Sequence, residues 1–286
     1  MLKMTFINVV MTIGLLLASP AFAADQVKTG YAQANGLKMY YEVYGTGKPA
    51  VVLHGAYMST ESMRPVIDGL AKTRQVIAVD LQGHGRTGDI DRPITYEQMA
   101  DDVAALMQAI GIPQADVFGY SMGAGVAYQL AIRHPECVRR LAAASGTYRA
   151  DGIYPVAREG VKQIKPQMFA GSPWEKEYMR LAPNKANWPV LIEKLKALDM
   201  AAQEWPAKDM TGIKAPVMII SGDSDIIRPE HSVEIFRLRG GGPSPDFMTA
   251  SANELAILPA TTHLGVMDRS DLLVPMVAAF FDKGIK

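Results

Sequence analysis

The stretch Ala115-Asp-Val-Phe-Gly-Tyr-Ser-Met-Gly-Ala-Gly-Val-Ala-Tyr128 constrains this chain more than any other. It reads as a short apolar strand, then Gly119-Tyr120-Ser121-Met122-Gly123, then a helix opening near Met122. G-x-S-x-G in that context is a nucleophile elbow: the serine occupies a turn so sharp that its backbone is strained, and glycines keep other side chains off it. The hydroxyl is thereby presented at the top of a sheet. The helix that follows aims its N-terminal amides and positive dipole end at the same place, where an anion derived from substrate would be stabilised. Ala124, Gly125 and Ala127 are expected to let that helix lie close to the strands. Taken alone, the five residues are also compatible with a Gly-rich strand-helix connection carrying a solvent-facing serine, because short motifs recur by accident.

The elements around this turn decide between the two readings. Lys28 to Gln33 and Leu37 to Tyr44 flank Ala34-Asn35-Gly36, a hairpin signal, and are expected to pair at one edge of the sheet. Ala50 to His54, Gln75 to Asp80 and Arg140 to Ser145 are continuous apolar runs, as strands covered on both faces should be. Between them lie helical patterns at Glu61 to Lys72 and from Thr95, whose spacing to Gln98 is that of a capping box and whose apolar positions Met99, Val103, Met107 and Ile110 recur at helical intervals. Alternation of this kind specifies an α/β chain with a mostly parallel, doubly wound sheet, and its ligands bind beyond the carboxyl ends of the strands. The loops after Leu53, Asp80 and Gly119 therefore converge.

The rhythm stops after Gly146 and returns at Ala215 to Ile220. The intervening segment has helical stretches, notably Trp188 to Glu204, and holds all three tryptophans, Trp174, Trp188 and Trp205. Residues 149–213 are read as a helical cap inserted over the site, with 24–148 and 214–286 forming the core. Singly, those aromatics are expected to pack the cap onto the body; together they imply an apolar pocket. A helix from about Pro229 to Arg237, a Gly/Pro loop at Gly240 to Pro245, a last strand Glu254 to Leu258 and a closing helix Leu272 to Phe281 complete the chain.

Composition narrows the function classes. With Lys+Arg and Asp+Glu both at 29, no basic excess points to nucleic acid. Lys3, the apolar run Val9 to Ala18 and Ala21-Phe-Ala23 read as a secretory signal peptide over residues 1–23, too short for a membrane span, which places the mature chain in the periplasm or outside the cell. Cys137 is the one cysteine, so no internal disulfide forms, and a small buried thiol is expected. Five histidines without ligand spacing give no metal site, and no motif calls for a cofactor.

Serine at its own pKa is a weak nucleophile and needs a base held in one tautomer by a carboxylate. Strand-end loops downstream offer both: Asp223 or Asp225 after Ile220, and His263 after Leu258. Ser, Asp, His is the chain order of α/β-hydrolases.

With His54-Gly55, Asp80 to Arg86, Gly119 to Gly123, Gly222 to Pro229 and His263 in order, the sequence resembles α/β-hydrolase-fold serine hydrolases of the capped esterase and non-haem haloperoxidase-like kind. The resemblance covers the body on both sides of the cap. It implies Ser121, Asp225 and His263 as catalytic residues, Asp223 as a loop-capping carboxylate, and an oxyanion hole from the amides of Met122 and Ala56. It gives His54 and the His84–Arg86 loop organising roles, while His134 and His231, on surface-like helices, join no constellation. The activity implied is hydrolysis of apolar small-molecule carboxylic esters, lactones included. Perhydrolysis and C–C bond hydrolysis on the same triad, or a binding protein that keeps the shell without turnover, are the alternatives. Epoxide hydrolases and haloalkane dehalogenases place an aspartate where Ser121 stands. Nothing in the sequence speaks to oligomeric state.

Overall fold

The computed structural model describes residues 27–284 except 202, 243–245 and 247–249, so the expected signal peptide and part of the Gly/Pro loop lie outside the described residues. Among these residues eight strands form one sheet: β1 (Lys28–Ala34), β2 (Leu37–Tyr44), β3 (Lys48–Leu53), β4 (Arg74–Val79), β5 (Ala115–Tyr120), β6 (Val138–Ala144), β7 (Val217–Ser224) and β8 (Glu254–Thr262). Their order is β1-β2-β4-β3-β5-β6-β7-β8. β1 and β2 are antiparallel at one edge, and from β4 onward the neighbours are parallel.

Among the described residues ten α-helices accompany the sheet: α1 (Arg64–Leu70), α2 (Tyr96–Ala109), α3 (Met122–Arg133), α4 (Pro155–Lys162), α5 (Pro173–Leu181), α6 (Trp188–Met200), α7 (Ala207–Gly212), α8 (Pro229–Leu238), α9 (Gly265–Asp268) and α10 (Ser270–Asp282). Strand side chains alternate between faces, and the apolar runs divide accordingly. Val51, Leu53, Val117, Leu141 and Ile219 join a core with α2 and α3. Ala50, Val52, Phe118, Ala142 and Ile220 join a second core with α1 and α10. Both halves are buried, which is why these strands lack polar alternation. Each large side chain such as Phe280 or Phe118, fully buried, contributes roughly 2 kcal/mol by leaving water.

Several local expectations are adjusted by packing. The helix expected over Glu61 to Lys72 is a 3₁₀ turn, Glu61–Met63, followed by the short α1. Thr95 caps α2, accepting from the Gln98 amide at 3.1 Å, but the Gln98 side chain turns to Asp102 and leaves the box half made. α6 ends at Met200, four residues before Glu204. Gly125 makes room for the Tyr96 ring of α2 and not for a strand. His231, expected on a surface-like helix, is fully buried: it stacks on Tyr148 with centroids 5.0 Å apart and meets Thr147 Oγ1 at 2.9 Å. The helix it begins packs that face against the chain leaving β6, which periodicity along α8 alone does not reveal.

Candidate active site

The sheet brings its carboxyl-terminal loops to one rim, and Ser121 stands at its centre. It caps α3 with φ 54° and ψ −117°, in a region that costs a non-glycine residue on the order of 1–3 kcal/mol. The flanking glycines tolerate this because of what surrounds them. A Cβ on Gly119 would run into the Gly123 carbonyl, and one on Gly123 into the carbonyls of Leu53 and His54. The elbow thus nests α3 onto the ends of β3 and β5, and only glycine fits at those two positions.

β8 delivers His263 directly past its last residue, Thr262. Its Nε2 lies 2.9 Å from Ser121 Oγ and its Nδ1 lies 2.7 Å from Asp225 Oδ1. A carboxylate only accepts, so Nδ1 carries the proton and Nε2 is left as the acceptor for the serine hydroxyl. Tyr120, between the elbow glycine and the serine, donates its hydroxyl to the His263 carbonyl at 2.9 Å. The residue beside Ser121 thereby anchors the backbone of its partner.

Asp225 is buried and well satisfied. Oδ1 also accepts from the Ile227 amide at 3.1 Å, while Oδ2 takes the Ser145 hydroxyl at 2.5 Å and the Gly222 amide at 3.4 Å. Burial works to raise its pKa, but the bonds and charge supplied by His263, with Ser145 and Ile227, outweigh it and hold the carboxyl below its usual range. Asp223, the alternative carboxylate, turns away and accepts from the amides of Ala260 and Thr261 at 2.8 and 3.1 Å. Of the two, Asp225 is the one that meets the histidine.

Ala56 and Met122 both line the cavity beside Ser121, and no described acceptor takes either amide. Two buried imidazoles hold the Ala56 loop. His54 Nδ1 donates to the Gly55 carbonyl at 2.8 Å while its Nε2 accepts from the Leu81 amide at 3.0 Å. His84 Nδ1 meets the Gln82 carbonyl at 2.9 Å, and its Nε2 accepts from the Tyr57 amide at 3.3 Å. Burial pushes His54 down to about 4 and His84 to about 3, so both stay neutral and serve as braces. Asp80 supports the same region, accepting the Thr60 and Arg86 amides at 2.8 Å each, with burial raising it to about 6.

The cavity holds about 290 Å³ and is lined mainly by apolar side chains, among them Met58, Phe169, Trp174, Leu198, Ile227 and Leu264. Of the tryptophans only Trp174 reaches it. Trp188 is buried against Tyr57, Phe169 and Tyr178, and Trp205 packs edge-on against Tyr96 and donates to Glu97 at 3.1 Å. The helices between β6 and β7 roof this space, and their chain leaves and returns side by side: Ala150 donates to Gln203 at 2.8 Å and Trp205 to Tyr148 at 3.1 Å.

Sequence reasoning missed three lining residues. Ser145, at φ 54°, follows β6 directly, and the strand-end rule that found His263 would have found it. Tyr57 also has a positive φ, of 64°, which no sequence signal announces. Asp199 sits one residue past the apolar position Leu198 on α6, and helical spacing alone does not distinguish it from a solvated acid. Among the described residues, no helix is long and apolar enough to cross a membrane.

The chain is similar to several known proteins. A protein named for carbamate hydrolysis, RutD of Azorhizobium caulinodans, is 35% identical over 153 residues, 54% of this chain, and the chain spans 56% of that relative's length. A pimeloyl-[acyl-carrier protein] methyl ester esterase of Neisseria meningitidis is 25% identical across 84% of this chain and 95% of its own. The solved enol-lactonase of Burkholderia xenovorans LB400 superposes with a TM-score of 0.66 at 21% identity, covering 88% of this chain and all of the other, a likeness of fold. The model of the alpha/beta hydrolase fold family matches residues 48–198, more than half of the sequence, and the chain therefore belongs to the α/β-hydrolase family.

Proposed function

We propose that this hydrolase-family protein cleaves carboxylic esters, lactones included, through Ser121, His263 and Asp225. The observation that carries the reading is the unbroken row from Ser121 Oγ to His263 Nε2 at 2.9 Å and from Nδ1 to Asp225 at 2.7 Å, beside two amides that no acceptor takes among the described residues. In this reading the Ser121 oxygen attacks the ester carbonyl while its proton passes to His263 Nε2. The carbonyl oxygen becomes an oxyanion held by the N–H groups of Met122 and Ala56, each contributing on the order of 3 kcal/mol to the transition state. The C–O bond then breaks and the His263 proton leaves with the alcohol. Water, deprotonated by the same imidazole, attacks the acyl-enzyme and returns the acid and free Ser121.

The helical segment, residues 149–213, acts in this reading as the cap that sizes the acyl or alcohol group. The methyl ester esterase among the relatives supports an ester as substrate. Lys3, the apolar run and Ala21-Phe-Ala23 support export to the periplasm or beyond, after cleavage following Ala23. N-terminal sequencing of the protein from the native host tests export: a chain starting at Ala24 supports it, and one starting at Met1 overturns it.

The activity is tested on a graded series of chromogenic acyl esters with the mature chain and Ser121→Ala. Turnover that disappears in the variant establishes the serine hydrolase, and the chain-length profile measures the space under the cap. A folded parent inert on every ester rejects the ester reading in favour of perhydrolysis, C–C bond hydrolysis or ligand binding alone.

A further inference from the structure

The cavity at Ser121 backs onto a second space. That chamber holds about 260 Å³ between the start of α2 and the end of α6, with Ile94, Thr95, Ala197 and Trp205 in its walls. Tyr96, Leu198, Ala201 and Gln203 line both spaces, so these residues form the partition between them. Backbone bonds pin one part of it. The Gln203 carbonyl accepts from the Ala150 amide at 2.8 Å, its side-chain amide donates to the Thr147 carbonyl at 2.6 Å, and Ala201 caps α6 by donating to the Ala197 carbonyl at 2.9 Å. Side chains make the rest: the Tyr96 ring from α2, and Leu198, buried, from α6.

The fold makes a seat for that ring. A Cβ on Gly125 would meet Tyr96 Cε1 at 2.5 Å, and Trp205 packs edge-on against the ring with centroids 5.5 Å apart. Glycine weakens a helix interior, so its presence in α3 calls for a packing reason, and the ring supplies one. Gly125 follows Ser121 by about one helical turn, which brings the ring close to the reacting carbonyl. The mechanism says which limb of an ester meets it. His263 returns its proton to the leaving alcohol, so the alcohol lies on the side of His263, which arrives from β8 at one edge of the sheet. α2 packs against α3 and against β1, the strand at the opposite edge. The acyl chain, directed away from the alcohol, runs towards Tyr96.

We propose that Tyr96, with Leu198 beside it, is the wall that sets acyl length: it ends the space open to the acyl chain, and its removal joins the two spaces into one channel that takes longer chains. The proposal rests on the serine-hydrolase reading for its kinetic test and on binding alone for a second. In the kinetic test, nitrophenyl butanoate, hexanoate, octanoate and decanoate are given to the wild type, Tyr96→Ala, Leu198→Ala and Tyr96→Phe, each checked for folding by circular dichroism. The decanoate-to-butanoate ratio of kcat/KM is expected to rise about tenfold or more in Tyr96→Ala, since burial of about two further methylenes is worth that factor. Leu198→Ala should move the ratio in the same direction, and it carries the test where Tyr96→Ala does not fold. Tyr96→Phe keeps the ring and should keep the wild-type ratio. In a series of alkyl acetates, which lengthens only the alcohol, the preference should not move in any variant.

The second test needs no turnover. Calorimetry of hexanoate and decanoate with the same proteins is expected to show decanoate gaining on hexanoate in Tyr96→Ala relative to the wild type. Ester ratios in both alanine variants that coincide with the wild type, or a rise in Tyr96→Phe equal to that in Tyr96→Ala, overturn the wall. A shift confined to the alkyl acetates puts Tyr96 on the alcohol limb and overturns the acyl assignment. An inert wild type whose Tyr96→Ala variant still gains affinity for decanoate would reject the ester-hydrolase reading and keep the partition.

Discussion

His84 accepts, through Nε2 at 3.3 Å, the backbone N–H of Tyr57, the residue next to Ala56. A fully buried imidazole from the loop after β4 thus holds the strained loop after β3 from behind the cavity. Replacing it (His84→Ala) frees that amide and lets Ala56 drift from the oxyanion position. Steady-state kinetics on a reactive ester are expected to show kcat reduced about tenfold or more with KM within about twofold, because the oxyanion exists only in the transition state.

The same two braces make stability pH-dependent. His54 and His84 titrate near 4 and 3 when folded, against 6.5 when unfolded. Between those values the unfolded chain binds more protons, so stability is complete above about pH 6.5 and declines as pH falls towards 4. For two fully buried rings the loss is on the order of a few kcal/mol. Thermal melts from pH 7.5 to 4.5 should show a steep fall in Tm, and the fall should be shallower in His84→Gln, which cannot be protonated there.

Ser145→Ala removes the 2.5 Å partner of Asp225 Oδ2 and leaves that oxygen with the Gly222 amide at 3.4 Å. The carboxylate is then less favoured, its pKa rises, and the acid limb of the kcat/KM profile moves to higher pH. Chemical denaturation at pH 7 should give a loss of about 1–2 kcal/mol. A profile that coincides with the wild type would mean that Ser145 does not act on Asp225.

Asp225→Asn keeps the shape of the triad but reverses its hydrogen-bond logic. An amide N–H in place of Oδ1 faces the Nδ1 side of His263 and favours the tautomer whose protonated Nε2 cannot receive the serine proton. A fall in kcat of about 10⁴-fold is expected. Asp223→Asn, whose carboxylate ties Ala260 and Thr261, should cost far less, and a larger loss from Asp223→Asn would reverse the assignment.

Gly123→Ala would drive a methyl group into the carbonyls of Leu53, the last residue of β3, and His54, the residue after it, where backbone cannot yield cheaply. Loss of soluble folded protein, or of all activity in what folds, is expected from circular dichroism and ester assay. Gly125→Ala meets first the Tyr96 ring, a side chain that can turn aside, and should fold, with altered preference for acyl size because that ring lines the cavity.

The order of apolar strands, the elbow, the position of His263 and the presence of an acid after Ile220 were legible in the sequence because each is local. Continuous apolar runs mean strands buried on both faces; Gly119 and Gly123 mark a turn that other residues cannot make; a residue just past a strand stands at the sheet's rim wherever that strand lies. Ser145 satisfies the same rule and was available to it. The pairing of β2 with β4, the burial of His231 and the bond from His84 to Tyr57 join residues distant in sequence, and nothing within each segment encodes its partner. Asp225 and Asp223 show the division most clearly. Both carboxylates stand at the end of β7 and are chemically identical, so the sequence by itself determined that an acid would stand there. The tertiary structure decided which one: the path of β8 past β7 brings its amides to Asp223 and the His263 ring to Asp225, because a hydrogen bond requires about 3 Å and the right direction, and those exist only once the strands are packed.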